Sequence, residues 1–177
     1  IIKYIKATEK FNIVIEQIGG SVNKIIQSTS SKSFYVISKG NGVYTLKDNT
    51  ISLLIKTSEF LVNDLHELNH DYLLLSTSDG LMTYEIKSKK TQVLKGFDTE
   101  SGNISAYKNN ANTCWVNFPE RGIVKLEFSN RQDPNILLEL NEKVNPYFKN
   151  IANFYLDEEN EHLFMVGPDE KLSHFNL

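Results

Sequence analysis

Tyr72-Leu73-Leu74-Leu75-Ser76-Thr77-Ser78-Asp79-Gly80-Leu81-Met82-Thr83-Tyr84 is the stretch that decides the fold. An apolar run meets a polar turn, and a glycine then opens a second run of the form Gly-apolar-x-x-apolar. Two such runs read as antiparallel strands around a tight turn, with glycine supplying the positive φ that turn geometry demands. The pattern recurs. Phe34-Tyr35-Val36-Ile37 leads through Ser38-Lys39-Gly40-Asn41-Gly42 to Val43-Tyr44-Thr45-Leu46. Cys114-Trp115-Val116 leads through Asn117-Phe118-Pro119-Glu120-Arg121-Gly122 to Ile123-Val124-Lys125-Leu126. A last copy joins Leu163-Phe164-Met165-Val166 to Leu172-Ser173-His174-Phe175, with Lys171 where the glycine is expected. Self-similarity at a period of about 40 residues marks a solenoid or a radial array rather than a one-off packing.

Two fainter echoes complete the unit. Upstream of each run stands an apolar-x-x-apolar pair: Val22 and Ile25, Val62 and Leu65, Ile104 and Tyr107, Ile151 and Phe154. Downstream stands another apolar stretch: Ile51 to Ile55, Thr91 to Leu94, Ile136 to Leu140. Each copy therefore supplies four short strands parted by turn-rich clusters, the make-up of one propeller blade. The expected fold is all-β: a β-propeller of about four blades, each of four antiparallel strands. Residues 22–55, 61–94 and 103–140 are the blades, and 150–177 is an incomplete one. Residues 1–16 read as the second half of a blade, because Tyr4 to Val14 lines up with Tyr84 to Leu94. A chain that starts mid-unit reads as a piece of a longer array.

Composition supports strands and excludes several classes of function. At 177 residues, a chain with 40% hydrophobic side chains can bury one ample core without disulfides or metal. Tyr, Phe, Ile, Val and Leu are abundant, which favours strands over helices. A net charge of −3, with both signs interspersed, argues against a nucleic-acid footprint or a polybasic membrane patch. No apolar stretch approaches the length of about 20 residues needed to cross a bilayer as a helix. Cys114 is the single cysteine and can form no internal disulfide.

One motif imitates chemistry. His66-Glu67-Leu68-Asn69-His70 satisfies the H-E-x-x-H pattern of zinc peptidases, which works because a helix sets both histidines on one face. Leu65 belongs to the repeated strand, however, and Asn69-His70-Asp71 falls in the turn before the Tyr72 run. On an extended strand the two imidazoles would stand roughly 13 Å apart at about 3.3 Å per residue, too far to share an ion. No metal site is expected there, and Glu85, His162 and His174 supply no convincing third ligand.

The remaining candidates read as structure. Gly40-x-Gly42 is a turn, since no helix follows it to cradle a phosphate. Asp157-Glu158-Glu159-Asn160 and Lys87-Ser88-Lys89-Lys90 are solvated turns, and the acidic one lacks the alternating ligand spacing of a calcium loop. Trp115 fills the apolar strand slot that Val36 and Leu74 fill elsewhere, so packing is expected of it. Cys114 has no positioned base beside it and reads as an inert thiol. No catalytic constellation and no cofactor signature is found, and the ligand-binding residues stay unassigned.

The run Leu73 to Tyr84 resembles the repeat of two-component regulator propellers, whose consensus is Leu-Trp-Ile-Gly-Thr, a polar turn, Gly-Leu and then Tyr. Tyr35 to Leu46 and Trp115 to Leu126 follow it more loosely, with Trp115 on the consensus tryptophan, and Leu163 to Phe175 departs most. The resemblance implies the extracytoplasmic, periplasmic sensor region of a bacterial hybrid two-component histidine kinase. There, paired seven-bladed propellers precede an immunoglobulin-like module, a membrane span and the kinase. Many such receptors answer to oligosaccharides. The segment itself would be non-catalytic, would bind no cofactor, and would pack against neighbouring blades of its parent.

The family's ring size favours an arc of a seven-bladed propeller. The alternative is a small ring closed on itself, with Phe11 to Glu16 as the missing fourth strand. An arc would expose blade faces and invite a homodimer. Two other function classes stand beside the ligand sensor: a scaffold that binds proteins, and a propeller enzyme, which would need convergent acids or histidines.

Overall fold

The computed structural model describes residues 1–13, 18–98, 102–106, 112–129, 133–157 and 159–177. Val14, Ile15, Glu16, Tyr107 and Glu158, named in the repeat and turn assignments above, lie outside the described residues. The described chain is all-β apart from one 3-10 turn, Pro146–Phe148, capped by the Asn145 side chain. Two compact units divide it, residues 1–62 and 63–177.

The strands run β1 (Ile2–Ile5), β2 (Lys10–Ile13), β3 (Val22–Gln27), β4 (Phe34–Ser38), β5 (Gly42–Lys47) and β6 (Thr50–Lys56). They continue with β7 (Val62–Asn69), β8 (Tyr72–Thr77), β9 (Gly80–Glu85) and β10 (Lys90–Val93), then β11 (Asn103–Ala106), β12 (Thr113–Phe118), β13 (Gly122–Glu127) and β14 (Asn135–Leu140). The last three are β15 (Asn153–Asp157), β16 (His162–Val166) and β17 (Leu172–Asn176). β3–β6, β7–β10 and β11–β14 each form a four-stranded antiparallel meander in chain order. β15–β17 form a three-stranded sheet, and β1 and β2 a two-stranded one. These are propeller blades: consecutive short strands, hairpin-connected, each sheet complete in itself.

The repeat glycine has a double cause. Gly42, Gly80 and Gly122 open the third strand of their blades at φ of 138°, 105° and 94°. A Cβ at any of them would overlap a main-chain carbonyl at the end of the fourth strand or just beyond it: that of Ile55, Phe97 or Leu140 respectively. The fourth strand thus presses on the third through a position where only hydrogen fits. In the last sheet, given by the described residues as β15–β17, Lys171 occupies the corresponding place outside the positive-φ region. The left-handed turn residue there is Glu170, at φ 60°.

In the second unit, strand alternation builds two cores. β12 points Cys114, Val116 and Phe118 toward Leu68, Leu74, Leu81, Leu94 and Phe97 of the preceding blade. Its other face carries Trp115, which packs with Ile151, Leu156, Leu163 and Met165 of the following one. A strand buried on both faces is apolar along most of its length, which is why β8 and β12 read as continuous runs rather than alternating ones. Hydrogen bonds tie the blades where the runs turn polar. Ser76 Oγ accepts from the Gly102 N–H at 2.9 Å, and Asn117 Nδ2 donates to the Ile151 carbonyl at 2.7 Å. Each joins the end of a second strand to the segment entering the next blade. Arg121 adds a third tie: its guanidinium lies 4.9 Å from the Phe97 ring centre and pairs with Glu139 at 3.0 Å.

The hairpin register corrects one alignment. Gly42, Gly80 and Gly122 pair with Ser38, Thr77 and Phe118, so counting back from the turn sets Tyr35 and Leu74 in the slot of Trp115. The sequence alignment had put Val36 there. The turns differ in length, three residues in the first and third blades against two in the second, so an equal count back from the glycine does not reach the same slot in every blade.

Candidate functional site

The H-E-x-x-H segment lies on β7 and its turn. His66 and Glu67 are buried in the strand, while His70 stands in the following turn with its side chain 76% exposed and 3.0 Å from Asp71. The two histidines share no helix face. Asn69, one position earlier, caps the turn by accepting from the Asp71 and Tyr72 N–H groups, which ends the strand where the motif needs a helix to continue.

What the motif search passed over is the company His66 keeps. Asp64, His66 and Glu67 are all buried on β7, set among Val62, Leu65 and Leu68. Asp64 Oδ1 accepts from the Leu65 N–H at 2.8 Å. His66 Nε2 is buried without a hydrogen-bond partner. Burial pushes the His66 imidazole from 6.5 down to about 4, against the opposing pull of Glu67 and Asp64. The folded state therefore holds His66 neutral.

A stability prediction follows. The unfolded chain takes up a proton below about pH 6.5 that the folded chain refuses until about pH 4, so stability falls as the pH falls through that window. A depression from 6.5 to about 4 is worth about 3 kcal/mol at its full extent. Urea unfolding at pH 7 and pH 4.5 should show this loss in the wild type and a markedly smaller one in His66→Gln.

Cys114 is fully buried, and burial pushes its thiol far above the ordinary range. The thiolate that would react is not available in the folded protein. A thiol reagent at pH 8 should therefore label it only at the rate of unfolding, and denaturant should bring labelling to completion.

A cleft of about 330 Å³ lies in the first unit. Its apolar lining includes Ile2, Ile25, Phe34 and Leu46, and Lys32, Asp48 and Asn49 add polar groups. Asp48 and Asn49 sit at φ of 49° and 63°, making the two-residue turn between β5 and β6. Paired left-handed residues match the twist of the flanking strands, and Asp and Asn tolerate that conformation better than other side chains. Phe34 is 38% exposed. An apolar lining with a few polar groups from turns is the make-up of a small-ligand site. Sequence reasoning placed Ile25, Phe34 and Leu46 on strands and assigned none of the lining residues to a site, since the cleft joins β1 to turns some 30 to 50 positions later.

Among the described residues no group of three or more His, Cys, Asp or Glu converges to hold a metal, and no helix is long and apolar enough to cross a membrane. The Asp157 turn is self-satisfied, its carboxylate accepting from the Asn160 N–H and side-chain amide at 3.2 and 2.8 Å.

No protein-family model and no curated protein matches the chain. Solved structures do. The extracellular domain of BT3049 from B. thetaiotaomicron, assigned to a hybrid two-component system, matches 96% of this chain with a TM-score of 0.65 at 13% identity. That of BT4673 from the same organism, likewise assigned to a hybrid two-component system, matches 98% with a TM-score of 0.65 at 14% identity. The chain spans 23% and 24% of those two domains. YCF48 bound to D1 peptide matches 96% of this chain and 55% of its own, with a TM-score of 0.66 at 9% identity. At these identities the likeness is one of fold: the chain is an all-β segment of β-propeller blades, similar to those in the extracellular domains of two-component systems.

Proposed function

We propose that this chain is a non-catalytic, ligand-sensing segment of the extracytoplasmic sensor region of a hybrid two-component histidine kinase, forming an arc of a larger propeller. One observation carries the reading: the fold match to two such extracellular domains runs over nearly the whole chain while covering about a quarter of theirs. The blade pattern supports it independently, with half a blade, three full sheets and a three-stranded sheet in sequence. The parent's kinase machinery and membrane span lie outside this segment, and its location is periplasmic. Oligosaccharides are the ligand class the family resemblance favours. The cleft beside Phe34 suits such a ligand, because sugar rings stack on exposed aromatic faces while Lys32, Asp48 and Asn49 meet hydroxyls.

The test is calorimetric titration of the parent's extracytoplasmic region with a panel of defined oligosaccharides. Saturable binding of at least one member, weakened by Phe34→Ala and by Asp48→Ala, is expected. A panel without a binder contradicts the oligosaccharide reading. Binding untouched by both substitutions moves the ligand away from this cleft.

A further inference from the structure

One face of the fourth sheet brings together three heteroatoms. His162 opens β16 and His174 lies in the middle of β17, and the register pairs His162 with Asn176 and Phe164 with His174. The two histidines are thus diagonal neighbours on a single face. His174 Nε2 lies 2.9 Å from His162 Nδ1, and Asn176 Oδ1 lies 3.1 Å from that same Nδ1. Ring contacts fix the orientation: His174 stacks on Phe164 with centroids 4.7 Å apart and planes 19° apart. Asp157 is the register partner of His162 on the other side, and its carboxylate is held in place by Asn160.

Without an ion, a His162 Nδ1–H shared between His174 Nε2 and Asn176 Oδ1 satisfies this cluster. A cation bridging the two imidazole nitrogens, with Asn176 Oδ1 beside His162 Nδ1, is the alternative occupant. Two nitrogens bound at right angles to one metal at about 2.0–2.1 Å stand about 2.9 Å apart. Imidazole nitrogens are the donors that zinc, nickel and copper ions favour, and an amide oxygen and waters can complete the set. The Asp157 carboxylate one strand away adds favourable charge.

We propose that His162 and His174, with the Asn176 side chain as third donor, form a surface site for a divalent transition-metal cation. The bound ion joins β16 to β17, its sheet partner among the described residues. Binding therefore also stabilises the fourth sheet, because an ion that binds only the folded form shifts the unfolding equilibrium.

The probe is nickel chloride, titrated calorimetrically into the protein in a non-chelating buffer, with melting curves recorded in parallel. One saturable site per chain is expected, with a melting temperature that rises with nickel. His162→Ala and His174→Ala should each weaken binding by about tenfold or more, since losing a ligand costs at least as much as losing a group behind one. Both should also abolish the thermal shift. His70→Ala, at an exposed histidine outside the cluster, should change neither. Should the alanine variants fold poorly by circular dichroism, His174→Gln preserves a polar planar group and must still lose affinity. Absence of binding, or wild-type affinity in either histidine variant, overturns the site.

Discussion

Replacing Gly80 by alanine is expected to destabilise the protein by about 3–5 kcal/mol, the sum of a strained backbone and an overlap that nothing can relieve cheaply. At φ 105° an L-residue lies outside the left-handed well that Asn or Asp tolerates. The added Cβ would also meet the Phe97 carbonyl and the Asp98 backbone rather than a side chain that can swing away. The control is internal. Gly96 has φ 81° with nothing within 4 Å of a built Cβ, so Gly96→Ala should cost about 1–2 kcal/mol from conformation alone. Lys171→Gly, at the matching place in the fourth sheet, should stay within about 1 kcal/mol. Urea unfolding followed by Trp115 fluorescence reads all three, since each position lies in the unit that holds the tryptophan. Equal losses at Gly80 and Gly96 would show that φ alone explains the repeat glycine and that the fourth strand's approach does not.

Trp115→Ala should cost a similar amount, about 3–5 kcal/mol, for a different reason: a large ring leaves a cavity the surrounding core cannot fill. Trp115 is 2% exposed and packs with Ile123, Leu140, Phe148, Ile151, Leu156, Leu163 and Met165. Lys125, its register partner on β13, sets its ammonium 5.2 Å from the ring centre. The indole N–H is buried without a partner. Trp115→Phe removes that unsatisfied donor along with part of the volume, so it should cost only about 1–2 kcal/mol. Circular dichroism during urea unfolding measures both variants. A loss below about 1 kcal/mol in Trp115→Ala would mean that the core between the third and fourth sheets does not hold this unit together.

The fold was legible because its determinants are local. Strand, turn and glycine recur within a dozen residues, and the glycine's chemistry needs no tertiary information to be recognised. The reason for Lys171 was not legible. The left-handed residue of that hairpin is Glu170, one place before Lys171, and the spacing of the repeat does not reveal that shift. The exchange of Val36 for Tyr35 in the Trp115 slot has a similar origin, because turn length is settled by hydrogen-bond register and not by the apolar pattern.

Function was read less well, for a physical reason that the histidines illustrate. His66 and His70 are neighbours in sequence and catch the eye as a motif, yet a strand and a turn hold them apart. His162 and His174 match no motif, and a hairpin register sets their nitrogens 2.9 Å apart. Sequence periodicity says which face a residue takes; it does not say which residue of the next strand stands beside it. The cleft residues around Phe34 were missed in the same way, since β1 meets the later turns only in three dimensions.

The most direct test of the sensor reading is the sequence of the parent reading frame on both sides of this segment. The account predicts further blade repeats, followed downstream by a membrane-spanning helix and a histidine kinase core. A stop codon shortly after Leu177, with no membrane segment in the frame, would contradict it.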